Sequence, residues 1–272
     1  MTSIHELLSA AEKLWPTAGA EEWDRPGLIC GSVHEVAKRV LLSVDVTSDV
    51  IAEAIEGDFD LVISHHPFLL RAVNELTMDS AKGAVLTRAI KHDVALFAAH
   101  TNADIVLNGV SATLANALGL IESAPLVAST NAGEGHGRLG SLNKPVSLLD
   151  FARNVAKSLP PTASGVRIAG DPEAIITRVA LCAGAGDSFI ANALDSDADV
   201  YVTSDLRHHP VSEALEEARA RGRNFALVDI SHWSAESLWL AVAASQLQEL
   251  FPDVKFVISD LRTDPWDFAV TQ

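Results

Sequence analysis

Three histidine-bearing stretches in this 272-residue chain hold the residue types that metal or acid–base chemistry requires. The first is Asp60-Leu61-Val62-Ile63-Ser64-His65-His66-Pro67, the second His100-Thr101-Asn102-Ala103-Asp104, and the third His232-x-x-x-Glu236. Residues four apart on a helix lie on one face about one turn apart, so an imidazole and a carboxylate at that spacing can grip one ion. Either pair alone is ambiguous, because a carboxylate near a helix start also suits the helix dipole. Both pairs together, at equivalent places in the two halves of the chain and joined by His-His-Pro, point to metal. Neutral imidazole and carboxylate suit zinc, iron or manganese, and nickel or cobalt as well. His65, His66, His100, Asp104, His232 and Glu236 exceed the three ligands plus an open position that one catalytic ion takes. They suit two divalent transition-metal ions sharing a carboxylate, which must be Asp104 or Glu236.

The elements that must position these residues are legible in outline. Ile4, Leu7, Leu8, Ala11 and Leu14 recur at helical spacing, and Pro16 ends that helix. Residues 39–46 form a strand closing on Asp45, and Thr47 caps a helix through Glu56. Leu61, Val62 and Ile63 make a short apolar run of the kind found in buried parallel strands, and Pro67 stops its ladder. A helix over 80–92 leads to a buried strand at 93–99, which runs into His100. Another helix covers 110–118, and Ser147 caps one that reaches about Leu159. In open α/β sheets ligands bind beyond the carboxyl ends of strands, where His65, His66 and His100 fall.

The second half repeats the first. Val50 to Ile55 aligns with Phe189 to Leu194 at an offset of 139. The same offset pairs Arg39 with Arg178, Asp58 with Asp197, Asp60 with Asp199 and Ser64 with Thr203. Asp205, His208 and His209 follow where His65 and His66 stand in the first copy. The expected fold class is therefore α/β, with two related halves, residues 1–125 and 126–272, packed around a shared dinuclear metal cleft. Asp45, Asp205 and His208 are candidates to surround the ligands. Asp24 and Asp45 are equally explained as turn residues, and Asp205, His208 and His209 as the start of a surface helix. Trp233 either stacks on a planar ligand or is a buried aromatic. His5, His34 and His92 have no companions and are assigned to the surface.

Composition narrows the classes. A net charge of −16 repels phosphate backbones and argues against nucleic-acid binding. No apolar run approaches the roughly 18 residues of a membrane span, and the first residues lack a signal-peptide pattern, so a cytoplasmic protein is expected. Cys30 and Cys182 stand in unrelated contexts, which implies neither a disulfide framework nor a thiolate zinc site. The stretch 129–140, with four glycines, precedes a strand-like segment and lacks Gly-Lys-Ser/Thr, so it is a poor phosphate loop. No Gly-x-Ser-x-Gly elbow or Cys–His pattern suggests a covalent nucleophile, and no catalytic side chain is named.

At these residues the chain resembles the NIF-three-like family, the GTP cyclohydrolase I type 2-like proteins. The pieces are Trp23-Asp24 with Gly27-Leu28 and Gly31, Asp60 to Pro67, His100 to Asp104, Gly137-Arg138-Leu139-Gly140, and His232-x-x-x-Glu236. They run in family order from residue 23 to 236. The resemblance implies a two-part α/β fold, a dinuclear site built from the six residues named above, and a toroidal homohexamer. The chain departs from the family pattern at Ser231-His232, where Gly-His is usual, and at Thr203-Ser204-Asp205, where Thr-Gly-Glu is usual. Both changes leave the ligands intact and bear on the substrate wall.

The function expected is a metal-dependent hydrolase acting on a nucleotide-like small molecule. Following the cyclohydrolase resemblance, an ion-activated water would attack the imidazole-ring carbon of a guanine nucleotide. A metal-dependent phosphoesterase is the alternative chemistry, and a non-catalytic metal-binding or scaffold protein the alternative class.

Overall fold

Residues 1–270 are described by a computed structural model, whose first helix begins with a capping box. Ser3 accepts the Glu6 N–H, and the Glu6 carboxylate returns to the Ser3 backbone, satisfying two N–H groups that the helix leaves over. This helix, α1 (Ile4–Leu14), buries Ile4, Leu7, Ala10 and Ala11 and stops before Pro16. Four strands and two further helices follow: β1 (Gly27–Cys30), β2 (Arg39–Ser43), α2 (Ser48–Glu56), β3 (Leu61–Ser64), α3 (Ala81–Lys91) and β4 (Ala95–Ala98). Thr47 and Ser80 cap α2 and α3 through their hydroxyls. β2, β3 and β4 pair in parallel, and β1 runs antiparallel along β4. Every residue of β3 is buried, as its apolar run requires in a sheet covered on both faces. Leu41, Val62 and Leu96 pack with Val50, Ile51, Leu86 and Ala89 of the covering helices to form the core of this part.

The next stretch holds α4 (Thr101–Asp104), α5 (Val110–Ala117), β5 (Ile121–Ala124), the ribbon β6 (Val127–Ala128) with β7 (Gly135–His136), and β8 (Arg138–Ser147). Then come α6 (Leu148–Ser158), β9 (Arg167–Ala169), β10 (Ile175–Ala185), α7 (Ile190–Asp195), β11 (Val200–Ser204), α8 (His208–Ala220) and β12 (Ala226–Ile230). Their sheet has the order β5-β8-β10-β11-β12-β9, with β10, β11 and β12 parallel and the rest antiparallel. Tyr201, Leu194, Ala214 and Leu227 lie in a separate core. The chain closes with α9 (His232–Leu250) and β13 (Lys255–Ile258), and β13 pairs in parallel with β2.

Contacts divide the chain into two compact units. The first is Met1–Ala103 with Leu240–Thr263, and the second is Asp104–Trp239 with Asp264–Gln272. This division differs from the expected one near residue 125, because β13 completes the first sheet and α5 packs on β10 of the second.

The bonds that anchor each parallel trio recur at the offset of 139 seen in the sequence. Asp60 Oδ2 accepts the N–H groups of Lys38 and Arg39 at 2.7 and 2.9 Å. Asp199 Oδ2 accepts those of Thr177 and Arg178 at 2.7 and 2.8 Å. The backbones match as well: Asp60 N–H donates to Arg39, and Asp199 N–H to Arg178. The anchor lies at the start of β2 and near the start of β10, and in both copies the third strand, β4 or β12, leads into a candidate ligand histidine.

Candidate metal centre

In the first unit the histidines are placed by backbone ladders that outlast the strands. His65 N–H donates to Ser43 at 3.1 Å and His66 N–H to Val44 at 2.9 Å. The Ser64 hydroxyl closes the turn by donating to the His66 carbonyl at 2.8 Å. His100 follows β4, and its N–H donates to Asn102 Oδ1 at 2.9 Å. Asn102 in turn donates to the Trp15 carbonyl at 2.7 Å, which pins the start of α4 to the end of α1. One ring nitrogen from each of His65, His66 and His100 lies within 4.8 Å of the others, so this cluster can hold a metal ion.

The second nitrogen of each ring faces an oxygen. His65 Nδ1 meets the Ala99 carbonyl at 2.9 Å, and His66 Nδ1 meets Asp45 Oδ1 at 2.7 Å. His100 Nδ1 lies 3.0 Å from Asp24 Oδ2. A carbonyl or carboxylate oxygen accepts, so the neutral tautomer that suits each place carries its proton on Nδ1 and its lone pair on Nε2. Metal-ligating histidines show this arrangement, with the non-ligating N–H donated to a carboxylate or carbonyl. Asp24 is itself tightly held. Burial favours its neutral form, but hydrogen bonds from His100 and Thr101 prevail and bring its pKa down to about 2. The Thr101 hydroxyl donates to Asp24 Oδ2 at 2.6 Å, and the Trp23 ring stands edge-on to His100 at 5.8 Å.

The second unit gathers one imidazole and two carboxylates. His232 opens α9 and Glu236 lies one turn on, buried, with Oε1 2.9 Å from His232 Nε2. That separation matches two ligands of a single ion with bonds of about 2.0–2.2 Å. His232 Nδ1 meets Asp205 Oδ2 at 2.7 Å, the fourth ring of the same kind. Asp205 reaches it from a left-handed backbone, φ +58°, which aspartate tolerates better than most residues. Burial by itself lowers the His232 pKa, yet Glu236 and Asp205 more than reverse this, to about 11. Two carboxylates thus face one ring, an arrangement that favours positive charge there.

Gly184 of β10 passes close beneath the pair. A Cβ there would lie 2.4 Å from Glu236 Oε1 and 3.4 Å from His232 Nε2, and its φ is +77°. Two residues earlier, burial and then the charges of Asp104 and Glu236 push the Cys182 thiol up to about 12. The clusters of candidate ligand atoms among the described residues contain no cysteine, so their donors are nitrogen and oxygen. Such a set fits a divalent transition-metal ion.

Among the other residues singled out by sequence, Asp45 and Asp205 each orient a histidine. His208 and His209 do not join them. They are exposed on the first turn of α8, their rings 5.2 Å apart, and His208 lines a groove beside Arg167 and Arg207. Trp233 is half-buried, and His5, His34 and His92 are exposed. The glycine-rich stretch forms the β6–β7 ribbon and leads into β8. Arg138, buried there, donates to the carbonyls of Gly135, Gly137 and Val106 at 2.8–2.9 Å, two residues beyond Asp104 in the last case. Sequence reasoning missed Gly184 and Thr263, whose hydroxyl donates to Asp45 Oδ2. No local spacing signals a partner 218 residues away.

Comparison with known proteins returns one family across the chain. The model of the Duf34/NIF3 (NGG1p interacting factor 3) family matches residues 2–265. A GTP cyclohydrolase 1 type 2 homolog of Streptomyces coelicolor is 39% identical over 274 residues, covering 98% of this chain and 94% of the relative. Among solved structures, a Bacillus cereus protein related to NIF3 superposes with a TM-score of 0.89 at 24% identity, over 98% of this chain and 99% of that one. A Staphylococcus aureus hypothetical protein reaches the same TM-score at 26% identity and the same coverage.

Proposed function

The chain belongs to the Duf34/NIF3 family, and from that premise we propose that it is a dinuclear metal protein acting as a hydrolase on a nucleotide-like small molecule. The observation that carries this reading is shared by four histidines. His65, His66 and His232 each turn Nδ1 to a carbonyl or carboxylate oxygen and His100 Nδ1 lies 3.0 Å from Asp24, an arrangement that would leave Nε2 to a metal ion. The first unit brings His65, His66 and His100 together, and the second carries His232 with Glu236 one turn on, to which the proposal adds Asp104. Three is the number a catalytic ion takes while keeping a position open. The sequence links the two sets, since Asp104 follows His100 by one helical turn.

Two divalent ions held there would supply Lewis-acid polarisation and a water acidic enough to attack near neutral pH. The protein's own groups do the rest. Asp24, Asp45 and Asp205 fix three imidazoles and raise their basicity as ligands. Gly184 lets the β10 backbone approach Glu236 without a clash.

The substrate class rests on the names of the curated relatives, GTP cyclohydrolase 1 type 2 homologs. A homohexamer in the cytoplasm completes the proposal; among the described residues no helix is long and apolar enough to cross a membrane. The test is turnover of metal-loaded protein on a panel of nucleoside mono-, di- and triphosphates, with Glu236→Ala as control. Product from the intact protein and none from the variant supports the hydrolase. Tight, releasable metal with no turnover on any nucleotide assigns the chain to metal binding instead.

A further inference from the structure

Two consecutive residues near the end of the chain touch ligand-bearing segments in different units. Thr263, the last residue of the first unit, donates its hydroxyl to Asp45 Oδ2 at 2.5 Å. The other oxygen of that carboxylate holds His66 Nδ1 at 2.7 Å. Asp264, which opens the final segment of the second unit, is 8% exposed and accepts the Ser231 hydroxyl at 3.1 Å. Ser231 immediately precedes His232, and its Oγ accepts the Ser234 N–H at 3.2 Å, capping the first turn of α9. One peptide unit therefore bears on the residue that orients His66 and on the cap that starts the helix of His232 and Glu236.

The cost of this arrangement argues that it has a purpose. Asp264 Oδ2 is buried without a hydrogen-bond partner among the described residues, a placement that opposes folding. The Asp45 carboxylate faces Thr263 with one oxygen and His66 with the other. Thr263 fixes one oxygen and thereby presents the other to the ring. We propose that Thr263 and Asp264 are positioning residues for the metal ligands, Thr263 acting on His66 through Asp45 and Asp264 on His232 through Ser231. This inference rests on the reading of His66 and His232 as ligands.

The experiment measures apparent dissociation constants for Zn²⁺ by chelator competition in the full chain, for wild type, Thr263→Val, Thr263→Ser and Asp264→Ala. The visible absorption of Co²⁺-loaded samples is recorded alongside. Thr263→Val keeps the shape of the side chain but cannot donate. It should weaken one ion several-fold, less than the about 10–100-fold that loss of a ligand's own partner costs. The Co²⁺ bands should change with it, and Thr263→Ser should restore both. Asp264→Ala should also weaken Zn²⁺ binding and alter the Co²⁺ bands. Wild-type Zn²⁺ constants and Co²⁺ bands in both Thr263→Val and Asp264→Ala overturn the inference while leaving the metal reading intact. A wild-type protein that binds no Zn²⁺ overturns both.

Discussion

At the scale of single residues, the account turns on which groups touch metal and which only hold those groups. Replacing a carboxylate that serves two ions removes a ligand from each and leaves two cations with less negative charge between them. Asp104→Ala or Glu236→Ala should therefore empty most of both positions, whereas His65→Ala should weaken mainly one. Asp205→Ala strips only the Nδ1 partner of His232, so metal content at saturation should stay near wild type while affinity falls about 10–100-fold. Metals per chain after identical chelation and reloading distinguish these cases. If Asp205→Ala empties the protein as Asp104→Ala does, the assignment of ligands is wrong. Gly184→Ala makes a separate demand. Its methyl group would meet Glu236 Oε1 at 2.4 Å, and the left-handed backbone adds about 1–2 kcal/mol of strain. It should lower both metal content and the unfolding midpoint, and normal loading in this variant would contradict the close approach of β10. The histidines and carboxylates were legible in sequence because four-residue spacing and His-His-Pro are local signals. Asp24 was open to two explanations there, since its link to Thr101 and His100 spans 77 residues.

At the scale of elements, the sequence was most informative where pattern and capping agree. The helices expected at 80–92 and from Ser147 to about Leu159 are α3 and α6, each capped by the serine before it. The strand expected over 39–46 ends at Ser43, because the ladder beyond it is taken by the His65 and His66 N–H groups. That early end leaves Asp45 outside the sheet and able to reach His66. The short strands β5, β6, β7 and β9 carried no periodicity long enough to read. β13 was invisible for another reason: its partner β2 lies more than two hundred residues earlier. The repeat makes a quantitative prediction. Asp60 and Asp199 each tie two backbone N–H groups at a strand start, so Asp60→Ala and Asp199→Ala should destabilise alike, by about 1–3 kcal/mol. Urea unfolding followed by circular dichroism measures both. A large loss in one copy and none in the other would show that the equivalent bonds do different jobs.

At the scale of the whole molecule, family membership extends over residues 2–265, and the homohexamer remains a proposal to be measured. Light scattering coupled to size exclusion should report about six chains, and a clean monomer at micromolar concentration would contradict the hexamer. The net charge of −16 favours solubility. Fold class was within reach of the sequence because strand, helix and strand recur at one offset. The division into units was not, since it depends on the return of α9 and β13 to the first sheet. The central claim is that this chain holds two metal ions through its histidines and carboxylates. Elemental analysis by plasma mass spectrometry, on protein purified without chelator and again after reconstitution with zinc, manganese or iron, tests it directly. The account predicts close to two transition-metal ions per chain, lost together in Glu236→Ala; at most traces in the wild-type protein after all three reconstitutions would contradict it.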